Sequence, residues 1–509
     1  MAIDPHAPLT LRQLEDHLWQ AADLFRNKVS NQKDYILALL FFKRASDIYL
    51  EETAQALVEL GNVPGAEELA RDRAWHTLVI PEGHSWEEAR NTDEDKLGKA
   101  LNDALAAIGK ANPKQLAGVF ERTDFNNKQA LPNQDLAAIV DHFHQLGPLD
   151  SSRVSQDMLG QAYEWLIAKF AASAGKAGGE FYTPGEVGTL AAALLDPQTG
   201  HTVYDPTCGS GGLLLAALER ARETGQDARS IFLYGQELNP ETWAIARMNM
   251  LLHGAGDAAT IEREDTLAAP AFLTDSGEVQ EFDRIIANPP FSPKNWGHAR
   301  LKSAGDPYDR IKHLPPKSHG EMAFVQHMAA SMGPSSKLVC VLPNGVFFRG
   351  GAELAVRKDL IEADVIEAIV QLAPDMFYGA GIPAGLLVCN AAKPDDRKDK
   401  VLFIDASQRF ERRDTKNVLR KDDIKDIVAA YTADGPIDRF SIFADRAEIE
   451  AKQFNLTVRR YVQAGGAEAN GEVLSLDEAI AALQEARAAR EAADAALDEL
   501  LTQLEGGEE

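Results

Sequence analysis

Cysteine is scarce in this chain: 509 residues hold three, Cys208, Cys340 and Cys389, far apart in sequence. None of their spacings suits a disulfide framework or a zinc site, which leaves three reduced, structural thiols and no metal ligands; Cys208 alone falls in a loop of ligand-binding character. Long apolar runs are also missing, since no stretch reaches the roughly 18 residues of a membrane span. The opening Met-Ala-Ile-Asp-Pro-His-Ala-Pro has neither the basic start nor the apolar centre of a secretion signal, so the cytoplasm is expected. Positive charge is short: 52 Lys and Arg face 78 Asp and Glu, a net of −26. A DNA reader is expected to be basic. If nucleic acid is the substrate, another chain must supply much of the phosphate attraction. Nuclease and helicase motifs, the Gly-x-Gly-x-x-Gly fingerprint and the Gly-Lys-Ser/Thr of a Walker loop are absent too, so nicotinamide and phosphate-loop chemistry are disfavoured.

What is present is a core-forming chain, 45% hydrophobic, long enough for roughly three domains. Residues 1–150 read as all-helical. Leu11, Leu14, Leu18, Ala22 and Phe25 form one stripe, Tyr35 to Ile48 a second apolar helix, and Lys96–Ile108 and Leu136–Leu146 further ones. Over 151–465 strands and helices alternate. The strands are His201–Asp205, Ile231–Glu237, Thr260–Glu264, Phe282–Ala287, Lys337–Leu342, Val365–Leu372 and Gly385–Cys389. Helices over Gly212–Ala221, Glu241–His253, Glu321–Met332 and Glu353–Ala363 separate them. This alternation predicts an α/β, doubly wound sheet whose ligands gather at the strand carboxyl ends.

One strand end organises the rest. Phe282–Ala287 runs into Asn288-Pro289-Pro290-Phe291, where two prolines forbid the strand from continuing and turn Asn288 and Phe291 out of the sheet. An Asn oxygen beside a free backbone carbonyl can accept both hydrogens of a planar exocyclic amine, and Phe291 can stack on the ring that carries it. The plain alternative is a Pro-Pro turn after a core strand. Other strand ends point the same way. Asp205-Pro-Thr-Cys-Gly-Ser-Gly-Gly212 lets backbone approach a ligand before a helix N-terminus. Gln236-Glu237 sets an acid where ribose hydroxyls are held in dinucleotide folds. Glu264-Asp265-Thr266 offers a partner for an adenine edge. Upstream, the glycine-rich Gly175–Gly185 ends in a proline-initiated helix that Thr183 is placed to cap.

Two segments are locally basic. Ser292–His319 carries Lys294, Trp296, His298, Arg300, Lys302, Arg310, Lys312 and Lys317, and Arg409–Lys421 carries Arg412, Arg413, Lys416 and Arg420. Either suits contact with a nucleic-acid strand, and either suits an ordinary solvated loop. Over 472–509, Ser475 to Glu478 forms a capping box. Ala479, Ala482, Ala486, Ala489, Ala493, Ala496 and Leu500 then recur at three- and four-residue spacings, a coiled-coil-like helix expected to dock on a partner helix or fold back as a hairpin.

Taken together, Phe181-Tyr-Thr-Pro184, Asp205–Gly212, Gln236-Glu237 and Asn288–Phe291 resemble S-adenosylmethionine-dependent DNA adenine N6-methyltransferases. With Leu342-Pro-Asn-Gly-Val-Phe-Phe-Arg349 and Gly379-Ala-Gly-Ile-Pro383, the resemblance narrows to the modification subunit of type I restriction–modification systems and covers nearly the whole chain. It implies a Rossmann-like methyltransferase fold with S-adenosyl-L-methionine as cofactor. Glu180, Phe181, Tyr182, Thr183, Pro184, Gly185 and Ser210, Gly211, Gly212 would hold the methionine part, with Asp205, Thr207 and Gly209 in the same loop. Glu237 would take the ribose and Asp265 the adenine. Asn288 and the Pro289 carbonyl, in the turn completed by Pro290, would grip an adenine flipped out of duplex DNA; Phe291 would stack on it, with Phe377 or Tyr378 closing the other face. The implied partners are a specificity subunit, joined by two modification subunits, and a restriction subunit. Two other readings stay open: a methyltransferase of protein glutamine or an RNA amine, and a non-catalytic scaffold that keeps the fold.

Overall fold

The computed structural model describes residues 7–462 except 27, 30, 174–182, 294, 378–382 and 414–415. The expected helix over 472–509 lies outside the described residues, as do Glu180, Phe181, Tyr182 and Tyr378.

The chain begins with helices. α1 (Leu11–Phe25) starts where Thr10 and Gln13 close a reciprocal capping box, and it buries Leu14, Leu18, Ala22 and Phe25 of the expected stripe. α2 (Gln32–Leu60) runs roughly three turns past the expected end at Ile48. Its second half is largely solvated and so lacks apolar periodicity, but Glu, Ala, Gln and Leu sustain the helix until Gly61, at φ 56°, ends it. Next come α3 (Ala66–Leu69), α4 (Trp86–Arg90), α5 (Leu97–Ala111), α6 (Pro113–Leu116), α7 (Asn133–His144) and α8 (Gln156–Ser173). Stacked imidazoles tie α1 to α7: the His17 and His142 ring centroids lie 3.7 Å apart. Each Nε2 donates to the other residue's carbonyl. Burial, and then the neighbouring imidazole, push His17 down to about 4, so it is neutral at pH 7.

The α/β part follows as α9 (Gly185–Leu195), β1 (Thr202–Asp205), α10 (Gly212–Glu223), β2 (Phe232–Gln236), α11 (Pro240–Leu252), β3 (Ala259–Glu262), β4 (Phe282–Ala287), α12 (His298–Ala304), α13 (Glu321–Ala330), β5 (Met332–Pro343), α14 (Ala352–Glu362), β6 (Ile366–Gln371) and β7 (Ala384–Asn390). Every expected strand and helix here is found within a few residues, and α12 is extra. Past Cys389, where the sequence-based strands stop, come β8 (Lys400–Asp405), β9 (Glu411–Arg413), β10 (Lys416–Val418), α15 (Lys421–Thr432), β11 (Ser441–Asp445) and α16 (Arg446–Ala451).

Nine strands form one sheet in the order β11-β8-β6-β7-β5-β4-β1-β2-β3. β3, β2, β1, β4 and β5 run parallel, and β7 enters antiparallel between β5 and β6. The chain builds β1, β2 and β3 outward and then returns to lay β4 on the other side of β1, so the strand order reverses between β1 and β4. Such a reversal opens a crevice at the carboxyl edge. One apolar core covers the face of α9, α10, α11 and α15 and continues into the N-terminal helices. A second lies under α13 and α14. The sheet is thus covered on both faces, as the alternation predicts. The N-terminal helices meet it through α11, where the Arg247 Nε–H donates to the Gln115 carbonyl at 2.7 Å.

β7 tolerates no added atom at its first turn into the sheet. A Cβ on Gly385 would sit 2.8 Å from the Val370 carbonyl oxygen and 3.2 Å from the Phe347 ring. Gly385→Ala is expected to cost about 1–3 kcal/mol by overpacking, read as a lower urea midpoint.

Candidate active site

At the crevice between β1 and β4 lies a cavity of about 470 Å³. Its walls come from distant parts of the chain: α8, the start of α9, the loop after β1, and the ends of β2, β3 and β4. Of the residues singled out from sequence, Thr183, Pro184, Gly185, Asp205, Thr207, Gly209, Ser210, Gly212, Glu237, Asp265, Asn288 and Pro290 line it. Gly211, Pro289 and Phe291 do not reach its wall. Gly211 instead makes the turn into α10 at φ 84°, where a Cβ would strike Met250. Phe291 packs edge-on against Phe377, centroids 5.8 Å apart.

Asn288 is held by one hand. Its Nδ2 donates to the Thr183 hydroxyl at 2.9 Å, while its Oδ1 is buried without a partner. The expected N-cap role of Thr183 is therefore corrected. Pro184 occupies the cap position of α9 and no side chain caps it, because the Thr183 hydroxyl is engaged across the cavity instead. A buried carbonyl oxygen left unpaired costs about 1–3 kcal/mol, and the residue that carries it stands in the cavity wall. Beyond Phe291, Ser292 takes the left-handed conformation at φ 50°, which non-glycine residues rarely adopt. Glu321 stabilises it, its Oε1 accepting from the Ser292 N–H at 3.0 Å. Glu321 is buried and also faces Arg349, which forms a two-point ion pair with Glu353. Sequence reasoning missed Glu321: a lone acid at a helix start looks like a dipole partner.

The other strand ends carry carboxylates. Asp205 accepts from the Thr207 N–H at 2.9 Å through Oδ1, and its Oδ2 is buried without a partner. Burial, aided by the charge of Glu237, pushes Asp205 up to about 8. Glu237 bridges two loops, accepting from the Gly209 N–H at 3.0 Å and the Asn239 N–H at 2.7 Å. Burial raises its pKa against those bonds. Asp265 accepts from the Leu267 and Ala268 amides at 2.9 and 3.0 Å. Thr266 ties this loop to the glycine loop through the Pro206 carbonyl at 2.5 Å.

The basic residues after the turn serve structure. Arg310 donates to the Thr266 and Leu267 carbonyls at 2.8 and 2.9 Å and pairs with Asp306. It also donates to His327 Nδ1, so Nε2 carries the proton and donates to the Tyr204 hydroxyl at 2.9 Å. Burial, then the charge of Arg310, push His327 down to about 3. Arg300 donates to the Leu267 carbonyl and Trp296 is buried against Gly320. The sequence left this loop open between nucleic-acid contact and an ordinary solvated loop; these three are engaged within the fold, where loop carbonyls with no strand partner need donors. Lys302, Lys312 and Lys317 remain exposed. In the second basic run Arg412 pairs with Asp375, Arg420 with Asp423, and Lys416 donates to the Phe377 carbonyl.

Comparison with known proteins decides the family. The family model described as N-6 DNA Methylase matches residues 154–470, and that of the HsdM N-terminal domain matches 14–143. The chain belongs to the N-6 DNA methylases. Among curated relatives, the type I restriction enzyme MjaVIII methylase subunit of Methanocaldococcus jannaschii is 33% identical, over 87% of this chain and 77% of its own length. The HindI methylase subunit of Haemophilus influenzae is 33% identical, over 74% and 85%. Among solved structures, the type I restriction–modification methyltransferase subunit of Streptococcus thermophilus superposes with a TM-score of 0.78 at 30% identity, covering 89% of this chain and all of that one. The methylase is thus a modification subunit of the type I class, transferring methyl from S-adenosylmethionine to adenine N6.

The cavity suits that cofactor. S-adenosylmethionine bears a sulfonium and an ammonium against one carboxylate, and the walls offer Asp205, Glu237 and Asp265 beside a glycine cradle. Among the described residues its only arginines, Arg220 and Arg222, lie on α10 about 12 Å and more from the glycine loop.

Because the pKa of Asp205 is raised on folding, its contribution to apo-protein stability is full below about pH 4 and is lost as pH rises towards 8. Asp205→Asn is expected to flatten this fall, of at most about 1.4 kcal/mol per pH unit, in apo melting curves between pH 5 and 8. Thr183→Val should release Asn288 and lower kcat about tenfold with KM for S-adenosylmethionine little changed, and Thr183→Ser should restore it; steady-state kinetics read both.

Proposed function

We propose that the methylase grips its target adenine at the Asn288–Phe291 turn, after the base has been flipped out of duplex DNA. The observation that carries this is the unpartnered Oδ1 of Asn288, a residue of the wall of a cavity whose strand ends carry Asp205, Glu237 and Asp265. In this reading Asn288 Oδ1 and the Pro289 carbonyl accept the two N6 hydrogens, and Phe291, backed by Phe377, stacks on the ring. The two acceptors draw the N6 lone pair out of conjugation and stabilise the charge that develops on nitrogen until one proton passes to water. Stacking recovers part of the few kcal/mol that base flipping costs. Ser210–Gly212 cradle the methionine end of S-adenosylmethionine, Glu237 its ribose and Asp265 its adenine. When bound, that cofactor supplies a methyl on a sulfonium, and the walls hold it in line with N6. Glu180, Phe181 and Tyr182 are assigned to the same end on the resemblance of their motif.

In this reading residues 1–150 form a helical domain, 151–465 the methyltransferase domain and 472–509 a helix that docks on a specificity subunit. Two modification subunits join one specificity subunit, which reads the DNA sequence, and a restriction subunit completes the cytoplasmic complex. The net charge of −26 supports this division, since phosphate attraction is left to a partner.

The test is transfer of labelled methyl to duplex DNA by the chain alone and with the specificity subunit encoded beside it. Label on adenine N6 only with the partner supports the reading; label on protein or RNA overturns it. Asn288→Ala should abolish transfer and keep cofactor affinity within a few-fold, whereas Glu237→Ala should weaken cofactor binding tenfold or more by calorimetry.

A further inference from the structure

One wall of the cavity comes from outside the strand ends. α8 lies on the methyltransferase side of residue 150 but packs beside α1 and α2 of the helical part as well as α11, and it sends Gln161, Glu164 and Ile167 into the cavity at helical spacing. Its opposite side buries Leu159, Ala162, Tyr163 and Leu166 in the core, so the register of α8, and with it the direction of Glu164, is set by packing.

Glu164 lies over the glycine loop. Its Oε1 is the nearest atom to where a Cβ on Gly212 would stand, 3.9 Å away. It is hydrogen-bonded to Asn249 of α11, which in turn donates to the Ser210 carbonyl at 3.0 Å. That bond uses one of about four lone-pair sites on the carboxylate. No cation pairs with Glu164 among the described residues. Withdrawal from water raises its pKa to about 7, a cost that a bound positive group would remove.

We infer that Glu164 is the counter-charge for the α-ammonium of the cofactor's methionine moiety, so that a helix packed against the N-terminal helices takes part in holding S-adenosylmethionine. The inference rests on the reading of this cavity as the cofactor site. The ligand's polarity supports it: with ribose hydroxyls at Glu237 and adenine at Asp265, the amino-acid end falls at Ser210–Gly212, under α8. A carboxylate there repels the methionine carboxylate and attracts the ammonium, which fixes which of the two turns towards α8. The cofactor's charge then bridges α8 and α10.

The competing account is that Glu164 acts only through Asn249 to hold the glycine loop. Calorimetry on the full chain separates the two with three ligands: S-adenosylhomocysteine, its des-amino analogue, and 5′-methylthioadenosine, which lacks the amino-acid part. For wild type, the des-amino analogue should bind at least tenfold more weakly than S-adenosylhomocysteine. Glu164→Gln should bring S-adenosylhomocysteine down by a similar factor while leaving 5′-methylthioadenosine within twofold. Equal loss on S-adenosylhomocysteine and 5′-methylthioadenosine, or no loss on either, overturns the inference and leaves the cofactor site intact. Equal binding of the des-amino analogue and its parent by wild type overturns it without any variant. Failure of wild type to bind any of the three overturns the reading of the cavity itself.

Discussion

A single oxygen without a partner, Asn288 Oδ1, is the constraint around which this methylase is arranged. Leaving it bare inside the fold is unfavourable, so the surroundings must over-determine the residue that carries it. Three devices do so. Thr183 holds the amide nitrogen, two prolines stop β4 at the preceding residue, and Glu321 fixes the left-handed Ser292 that follows Phe291. Behind them, Arg357 donates to the Val346 and Arg349 carbonyls and steadies the segment that brings Arg349 to Glu321. The backbone on either side is fixed by the prolines and by Glu321, and turning the amide away would break its bond to Thr183.

The same economy governs charge. Arg300 and Arg310 are spent on the carbonyls of the 266–267 loop, and the basic hairpin β9–β10 is spent on the loop that carries Phe377. What remains around the cavity is acidic. That polarity favours a cationic small ligand and disfavours a polyanion, and it divides the labour between cofactor binding, done here, and backbone attraction, done elsewhere.

How much of this was legible in sequence depended on how local the signal was. β1 through β7 were readable because buried strands announce themselves as short apolar runs, and the glycines and prolines that end them are unambiguous punctuation. Asp205, Glu237 and Asp265 were readable because strand ends share one edge; Glu164, on a helix, was not. The second half of α2 and the strands after Cys389 were not. The former is sustained by propensity without an apolar stripe; of the latter, β9 and β10 are three-residue pieces that become strands only by pairing, whereas β8 carries a short apolar run that was passed over. Thr183, Glu321 and Arg310 were misread or missed for one reason: each acts across more than 15 residues of chain, on a partner that sequence spacing does not reveal.

The continuous core running from α1 and α2 through α8 and α11 to the sheet has a consequence for how such enzymes can be taken apart. Cutting the chain near residue 150 would separate α8 from the helices that bury its apolar side, and would bare the face of α11 that receives Gln115. The boundary between helical and catalytic halves is one of sequence pattern and not of folding cooperativity. Exchange of the N-terminal half between relatives therefore demands matched packing on both α8 and α11, and the two halves are constrained to change together.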